Sequence, residues 1–174
     1  VVTHFRHNDG TIDWYSPIPQ DVSSLEWSPI GDVIVVGLHD PGRLMIIDQI
    51  GTILNDLGWH STVSGGSGNP ADVLDVSVSN SGMMASAGRD GSIEIWNGPA
   101  SAPEMVGVFG NHLTREVAMH PRFDLLAMAD SSGTTSVRNL TTGSIERQCF
   151  HPDHGVPMDD IPYAKSVDWG DDES

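Results

Sequence analysis

The sequence predicts an all-β chain built from one four-stranded antiparallel unit repeated along its length. Three observations predict it. The segment GSIEIWN at Gly91 has counterparts in GRLMIID at Gly42 and GTTSVRN at Gly133. The strand that opens each unit carries an apolar residue at Leu25, Val76, Val117 and Val167, and the steps between these are 51, 41 and 50 residues. Within each unit, short runs alternate apolar and polar residues and are separated by Gly, Asn and Asp, the pattern of strands joined by hairpin turns. The shortest step matches the period of about 40–45 residues of a four-stranded propeller blade. The two longer steps each contain an insertion.

The central repeat shows the unit most plainly. Val73–Val78 alternates as a half-buried strand does, and Asn80-Ser81-Gly82 marks a turn. Met83–Ala87 forms a second run, Arg89-Asp90-Gly91 a hairpin turn, Ser92–Trp96 a third strand and Glu104–Phe109 a fourth. Laid over the preceding repeat, the same scheme predicts strands at Ser23–Trp27, Val33–Gly37, Leu44–Ile47 and Thr52–Leu57. Over the following one it predicts Glu116–Met119, Leu125–Ala129, Thr135–Val137 and Ser144–Gln148. Val1–Phe5 and Thr11–Tyr15 fit the last two strands of an earlier blade, and Ser166–Trp169 the first strand of a later one.

These segments resemble the WD-repeat (WD-40) family of β-propellers. Asp90-Gly91-Ser92-Ile93-Glu94-Ile95-Trp96-Asn97 is similar to that family's third strand, with Asp in the turn and Trp at the strand end. Trp27-Ser28-Pro29, echoed by His120-Pro121, resembles the end of its first strand, and Thr142-Gly143 the turn into its fourth. The Trp position is filled by Phe5, Ile47, Trp96 and Arg138, so one repeat keeps the signature. The Gly-His pair that precedes a blade in the family has its nearest approach in Gly110-Asn111-His112. The buried His–Ser–Asp–Trp network that the resemblance implies is therefore expected to be incomplete. The resemblance implies a β-propeller fragment over residues 1–174, with blades at 1–19 (partial), 21–63, 72–110, 113–151 and 164–174 (partial). Rings of this kind close with about four to eight blades, so the 174 residues are expected to be a piece of a longer chain.

Composition narrows the function classes. The net charge is −16, with Asp outnumbering Glu by 18 to 6 and a single Lys, Lys165, beside seven Arg. A uniformly acidic surface repels phosphate, which disfavours nucleic acid as a partner. High Asp with low Lys is similar to proteins of salt-adapted organisms; a negative surface awaiting a basic partner is the other reading. No run of about 18 apolar residues exists, so no membrane span is expected in this segment. No signal peptide is visible, and the compartment stays open, with the cytoplasm favoured. The lone Cys149 excludes an internal disulfide and reads as a small packing residue.

The insertions carry the candidate site. One runs over 58–70, the other over 151–162, and both connect a fourth strand to the next first strand. In the propellers this chain resembles, such connections share a rim with the turns near Asp40, Asp90 and Asp130. Loops carry binding function more often than scaffolds do, although Gly/Ser-rich and Pro-rich loops also simply tolerate length. The partner-binding candidates are Trp59, His60, Asp153, His154, Asp159 and Asp160. His151, Asp153, His154, Asp159 and Asp160 could be drawn as a metal site, but their spacing matches no closed motif and no metal is expected. Asp9, Asp40 and Asp90 each stand singly in a turn, which suits turn geometry rather than calcium. His4 and His7 fall on opposite sides of a strand. Trp14, Trp27 and Trp169 read as residues packed between blades.

No nucleophile elbow or phosphate-binding Gly-rich loop appears, and Gly65-Gly66-Ser67-Gly68 lacks the Lys and the helix that phosphate binding needs. The expected function is a non-catalytic scaffold presenting its loop rim to a protein or peptide, with no cofactor. The alternative is a propeller-type enzyme, or the propeller accessory domain of a larger hydrolase or metalloenzyme. That alternative requires polar side chains from several blades to converge on the channel, and no His or Glu recurs at one equivalent position in the sequence.

Overall fold

The computed structural model describes residues 1–5, 9–18, 20–60, 72–98, 103–110, 114–150, 164 and 166–170. Among them the regular elements are strands only, β1 (Val2–Phe5), β2 (Ile12–Ser16), β3 (Asp21–Trp27), β4 (Val33–His39), β5 (Arg43–Asp48), β6 (Ile53–Trp59), β7 (Val73–Val78), β8 (Met84–Gly88), β9 (Ser92–Asn97), β10 (Glu104–Gly110), β11 (Thr114–Met119), β12 (Leu125–Asp130), β13 (Thr134–Asn139) and β14 (Ile145–Phe150). β1 and β2 form a two-stranded sheet; β3–β6, β7–β10 and β11–β14 form three four-stranded antiparallel meanders. The all-β, four-stranded reading holds, with strand ends displaced by at most two residues. The segment 166–170 is the exception. It carries no strand assignment, yet it lies along β11, where Ser166 Oγ donates to Glu116 Oε1 at 3.0 Å and Trp169 Nε1 donates to the Ala118 carbonyl at 2.9 Å.

The sheets stack face to face, and this explains their composition. Along β4, successive side chains point to opposite faces. Val33 and Val35 join Leu44 and Ile46 in packing on Val73, Val76, Val78, Met84 and Trp96 of the next sheet. Ile34, Val36 and Leu38, with Met45 and Ile47, pack the other way onto Val2 and Ile18. A strand buried on both faces needs a continuous apolar run, which is what Val33–Val36 supplies. The next seam repeats the scheme, with Ala85, Ala87, Ile93 and Ile95 against Val117, Met119, Leu126 and Met128. Each fully buried aliphatic side chain contributes about 1.5–3 kcal/mol.

One glycine sets the sheet spacing. A Cβ on Gly37 would stand 2.6 Å from Val73 Cγ1 and 3.2 Å from Val76 Cγ1, so the inner strand of the second sheet can approach only because β4 lacks a side chain there.

The inner strands share a further irregularity. The register of β3 slips between Val22 and Ser24, that of β7 between Val73 and Asp75, and that of β11 between Thr114 and Glu116. A bulge re-aims the residue that follows it. Three bulges at one equivalent position aim Ser24, Asp75 and Glu116 along a common line.

Candidate functional site

The first insertion is anchored at both ends on the turns between second and third strands. At its start, His60 N donates to the Gly42 carbonyl at 3.0 Å. At its end, Asp72 Oδ1 accepts Asp40 N at 2.9 Å, and the Asp72 carbonyl accepts Arg89 N at 2.8 Å. The Asp72 carboxylate also meets Arg89 Nη1 and His39 Nε2, each at 3.2 Å. Burial alone would raise its pKa, but the Asp40 N–H, Arg89 and His39 outweigh that and hold it below the usual Asp value. One carboxylate thus ties the turns of two neighbouring sheets to the insertion. Asp40 adopts φ 41°, a left-handed conformation that Asp tolerates better than most residues.

The structure moves His60 from surface to interior. Expected on the rim, it is 1% exposed. Nε2 lies 3.1 Å from Ser86 Oγ and Nδ1 lies 3.1 Å from Ser92 Oγ. Ser92 Oγ donates its proton to Asp90 Oδ1 at 2.5 Å. With that hydroxyl proton committed, Nδ1 is the donor to Ser92 Oγ, and in the neutral ring Nε2 accepts from Ser86 Oγ. Glu94 Oε2 approaches Nε2 to 3.9 Å, with both side chains fully enclosed. His60 therefore fastens the last strand of the first sheet to the second and third strands of the next. Most of the His–Ser–Asp network expected to be incomplete is present here, one residue beyond the Gly58-Trp59 step. The sequence reading sought an adjacent Gly-His pair and so passed over this one. Gly88 makes room for it, since a Cβ there would meet the His60 ring at 2.7 Å.

Trp59 closes β6 on the same rim, paired in register with Arg43. Asp153, His154, Asp159 and Asp160 lie outside the described residues, as does His151. Asp9, Asp90 and Asp130 serve their turns. Their Oδ1 atoms accept Thr11 N at 2.9 Å, Ser92 N at 3.0 Å and Ser132 N at 2.8 Å. Among the described residues no group of three or more His, Cys, Asp or Glu could hold a metal. Trp14 stacks on His4 at a centroid separation of 5.4 Å, and Trp27 meets the same ring edge-on at 5.9 Å.

Sequence reasoning located the inner strands but passed over the carboxylates on them. Carboxylates from three of them line one seam after another. Asp75 Oδ1 accepts from Ser24 Oγ at 2.7 Å and its Oδ2 accepts Val117 N at 2.9 Å. Glu26 Oε2 accepts Val78 N at 3.0 Å, and Ser77 Oγ accepts Met119 N at 2.9 Å. In the bonds from Val117, Val78 and Met119 a side chain on one sheet caps a backbone donor on the inner edge of the next, a donor that the sheet itself leaves unpaired. Burial pushes the Glu26 carboxyl up to about 7, against hydrogen bonds from Ser77 and Val78 that favour its charge; Asp75 and Asp168 add like-charge repulsion. Burial also raises Asp75. Asp75 and Glu116 occupy equivalent positions, but Ser24 and Ser166 stand at that position in the flanking repeats and hide the pattern.

By sequence, no family model and no curated protein matches the chain. By structure it is similar to the crystal structure of the RRP9 WD40 repeats, with a TM-score of 0.64, 19% identity, and coverage of 78% of this chain and 40% of that one. It is similar to the structure of U3-55K at the same TM-score and identity, covering 78% of this chain and 41% of that one. The described sheets are thus blades of WD40 type, and the chain spans about two-fifths of the length of these two structures.

Proposed function

We propose that this partial WD40-type propeller is a non-catalytic scaffold that binds a protein or peptide partner through the rim bearing its first insertion. One observation carries the reading: Asp72 fixes the insertion's exit to the turns of two blades at once, through Asp40 N, His39 and Arg89. A loop whose ends are held this firmly presents its residues on a preorganised base, which lowers the ordering cost of binding. Trp59, at the loop's entrance, supplies the large amphipathic side chain that interface anchors favour. Asp153, His154, Asp159 and Asp160 are assigned to the same rim through the second insertion, with His60 acting from beneath as its support. An acidic rim suits a basic partner.

The inner-strand carboxylates are what an enzyme would offer, and they supply the polar convergence that the alternative reading requires. Their bonding supports the scaffold reading instead. Both oxygens of Asp75, Glu26 Oε2 and Glu116 Oε1 are engaged by hydroxyls or backbone donors across the seams. The test is affinity capture with the full chain, comparing wild type with Trp59→Ala and with a combined Asp153→Ala, His154→Ala variant. Specific partners are expected to be lost from both variants. Unchanged recovery from both would reject the rim as the binding surface.

A further inference from the structure

The inner strands β3, β7 and β11 end at Trp27, Val78 and Met119. Each then enters a turn to the next strand, at the end of the blades opposite the insertion. Between these turns lies a cleft of about 540 Å³, lined by Glu26, Asn80, His120, Arg122, Asp168 and Trp169 among others. That volume falls within the ~300–1,000 Å³ of small-ligand sites. Its walls are fixed. His120 Nδ1 accepts the backbone N–H groups of Arg122 at 3.0 Å and Phe123 at 3.2 Å, so its ring proton is on Nε2. The Trp169 ring is pinned by its bond to the Ala118 carbonyl and meets His120 edge-on at 4.5 Å.

The cleft's charge is unbalanced. Two carboxylates, Glu26 and Asp168, face one guanidinium, Arg122, and Asp75 stands behind Glu26. Neither β3 nor β7 carries a Lys or Arg. The whole chain's charge of −16 draws cations toward any concavity with acidic walls. Exposed apolar residues stand on the adjoining turns, Ile30 at 69% and Phe123 at 58%, as an apolar border beside a charged pocket.

We propose that this cleft receives the basic side chain of a protein partner, its cationic head between Glu26 and Asp168 and its stem along Trp169. The cation supplies a counter-charge to the half-buried Glu26 carboxylate, for which no ion pair is seen among the described residues, and the indole adds a cation–π attraction. This surface is on the rim opposite the insertion, so it stands or falls separately from the scaffold's rim contacts.

The probes are N-acetyl-lysine methylamide and N-acetyl-arginine methylamide, with the neutral analogues N-acetyl-norleucine methylamide and N-acetyl-citrulline methylamide as controls. Binding to the full chain is followed by tryptophan fluorescence and by NMR shifts at Val78 and Met119. Saturable binding of the cations is expected, on the order of millimolar, with the neutral analogues at least ~10-fold weaker. Glu26→Gln and Asp168→Asn should each weaken it by about 5- to 10-fold. Asp168 is exposed, so its variant tests the site even if the Glu26 variant folds poorly. Affinity in the wild type should rise between pH 6 and 8 as Glu26 ionises, and should rise less in Glu26→Gln. Equal binding of charged and neutral probes, no binding of either cation, or unchanged affinity in Asp168→Asn would each overturn the proposal. Trp59→Ala should leave probe binding unaltered, which separates this site from the insertion rim.

Discussion

Ser24 and Asp75 meet across the seam between two blades at 2.7 Å, and the other oxygen of Asp75 continues to Val117 N on a third blade at 2.9 Å. A single carboxylate therefore joins three inner strands. Replacing Asp75 with Ala strands a hydroxyl and a backbone donor in a partly buried place and is expected to lower stability by about 2–4 kcal/mol. Asp75→Asn retains one acceptor and should lose about half as much. Urea denaturation of the two variants checks the ordering.

Glu26 makes stability depend on pH. Its carboxyl is raised by burial from 4.5 to about 7 in the folded chain. The folded state therefore holds this proton more tightly than the unfolded state does. The resulting stabilisation is fully present below about pH 4.5 and is lost as pH rises to about 7. The informative quantity is the difference between wild type and Glu26→Gln. The variant should show a shallower fall in Tm between pH 5 and 7.5. Parallel profiles would assign the carboxyl an ordinary pKa.

His60→Ala should be among the most damaging single changes. It removes the bonds to Ser86 and Ser92 and opens a void beneath the insertion. A loss of about 3–4 kcal/mol is expected in chemical denaturation. Ser92→Ala, which breaks the link from His60 to Asp90, should cost about 1–2 kcal/mol.

Gly37→Ala should destabilise by about 1–3 kcal/mol through the clash with Val73. Val73→Ala in the same chain removes the Cγ1 atom that stands 2.6 Å from the new Cβ. The double variant is thus expected to lose less than the two single losses added together. Strict additivity in the double-mutant cycle would place the cause elsewhere.

Asp72→Ala should behave differently. Arg89 is well exposed and His39 partly so, and exposed ion pairs contribute only ~0–1 kcal/mol. Global stability should change little, while hydrogen exchange at Asp40 N, which loses its acceptor, should speed up.

The blades were legible in the sequence because their signals are local. Alternation along Val73–Val78 and the turn at Arg89-Asp90-Gly91 report strands and hairpins with no knowledge of neighbours. What decides His60 is not local. Its ring finds Ser86 and Ser92, 26 and 32 residues away, only after the second blade has folded against the first. Glu94, a charged residue between Ile93 and Ile95, is fully buried because the strand is covered on both faces. Glu26 and Asp75 were invisible for a related reason. Their partners are backbone donors, which leave no mark in the identity of the residues that carry them.

The inner-edge contacts have a direction. At Glu26, Asp75 and Ser77 the acceptor belongs to the earlier blade and the backbone donor to the later one. A blade is therefore a module with a socket on one side and a plug on the other. Tandem duplication of the underlying coding segment would deliver both halves of the joint together, since the plug is main chain and demands no particular side chain. An array built this way can lengthen one module at a time, with only the socket residues held to a narrow choice.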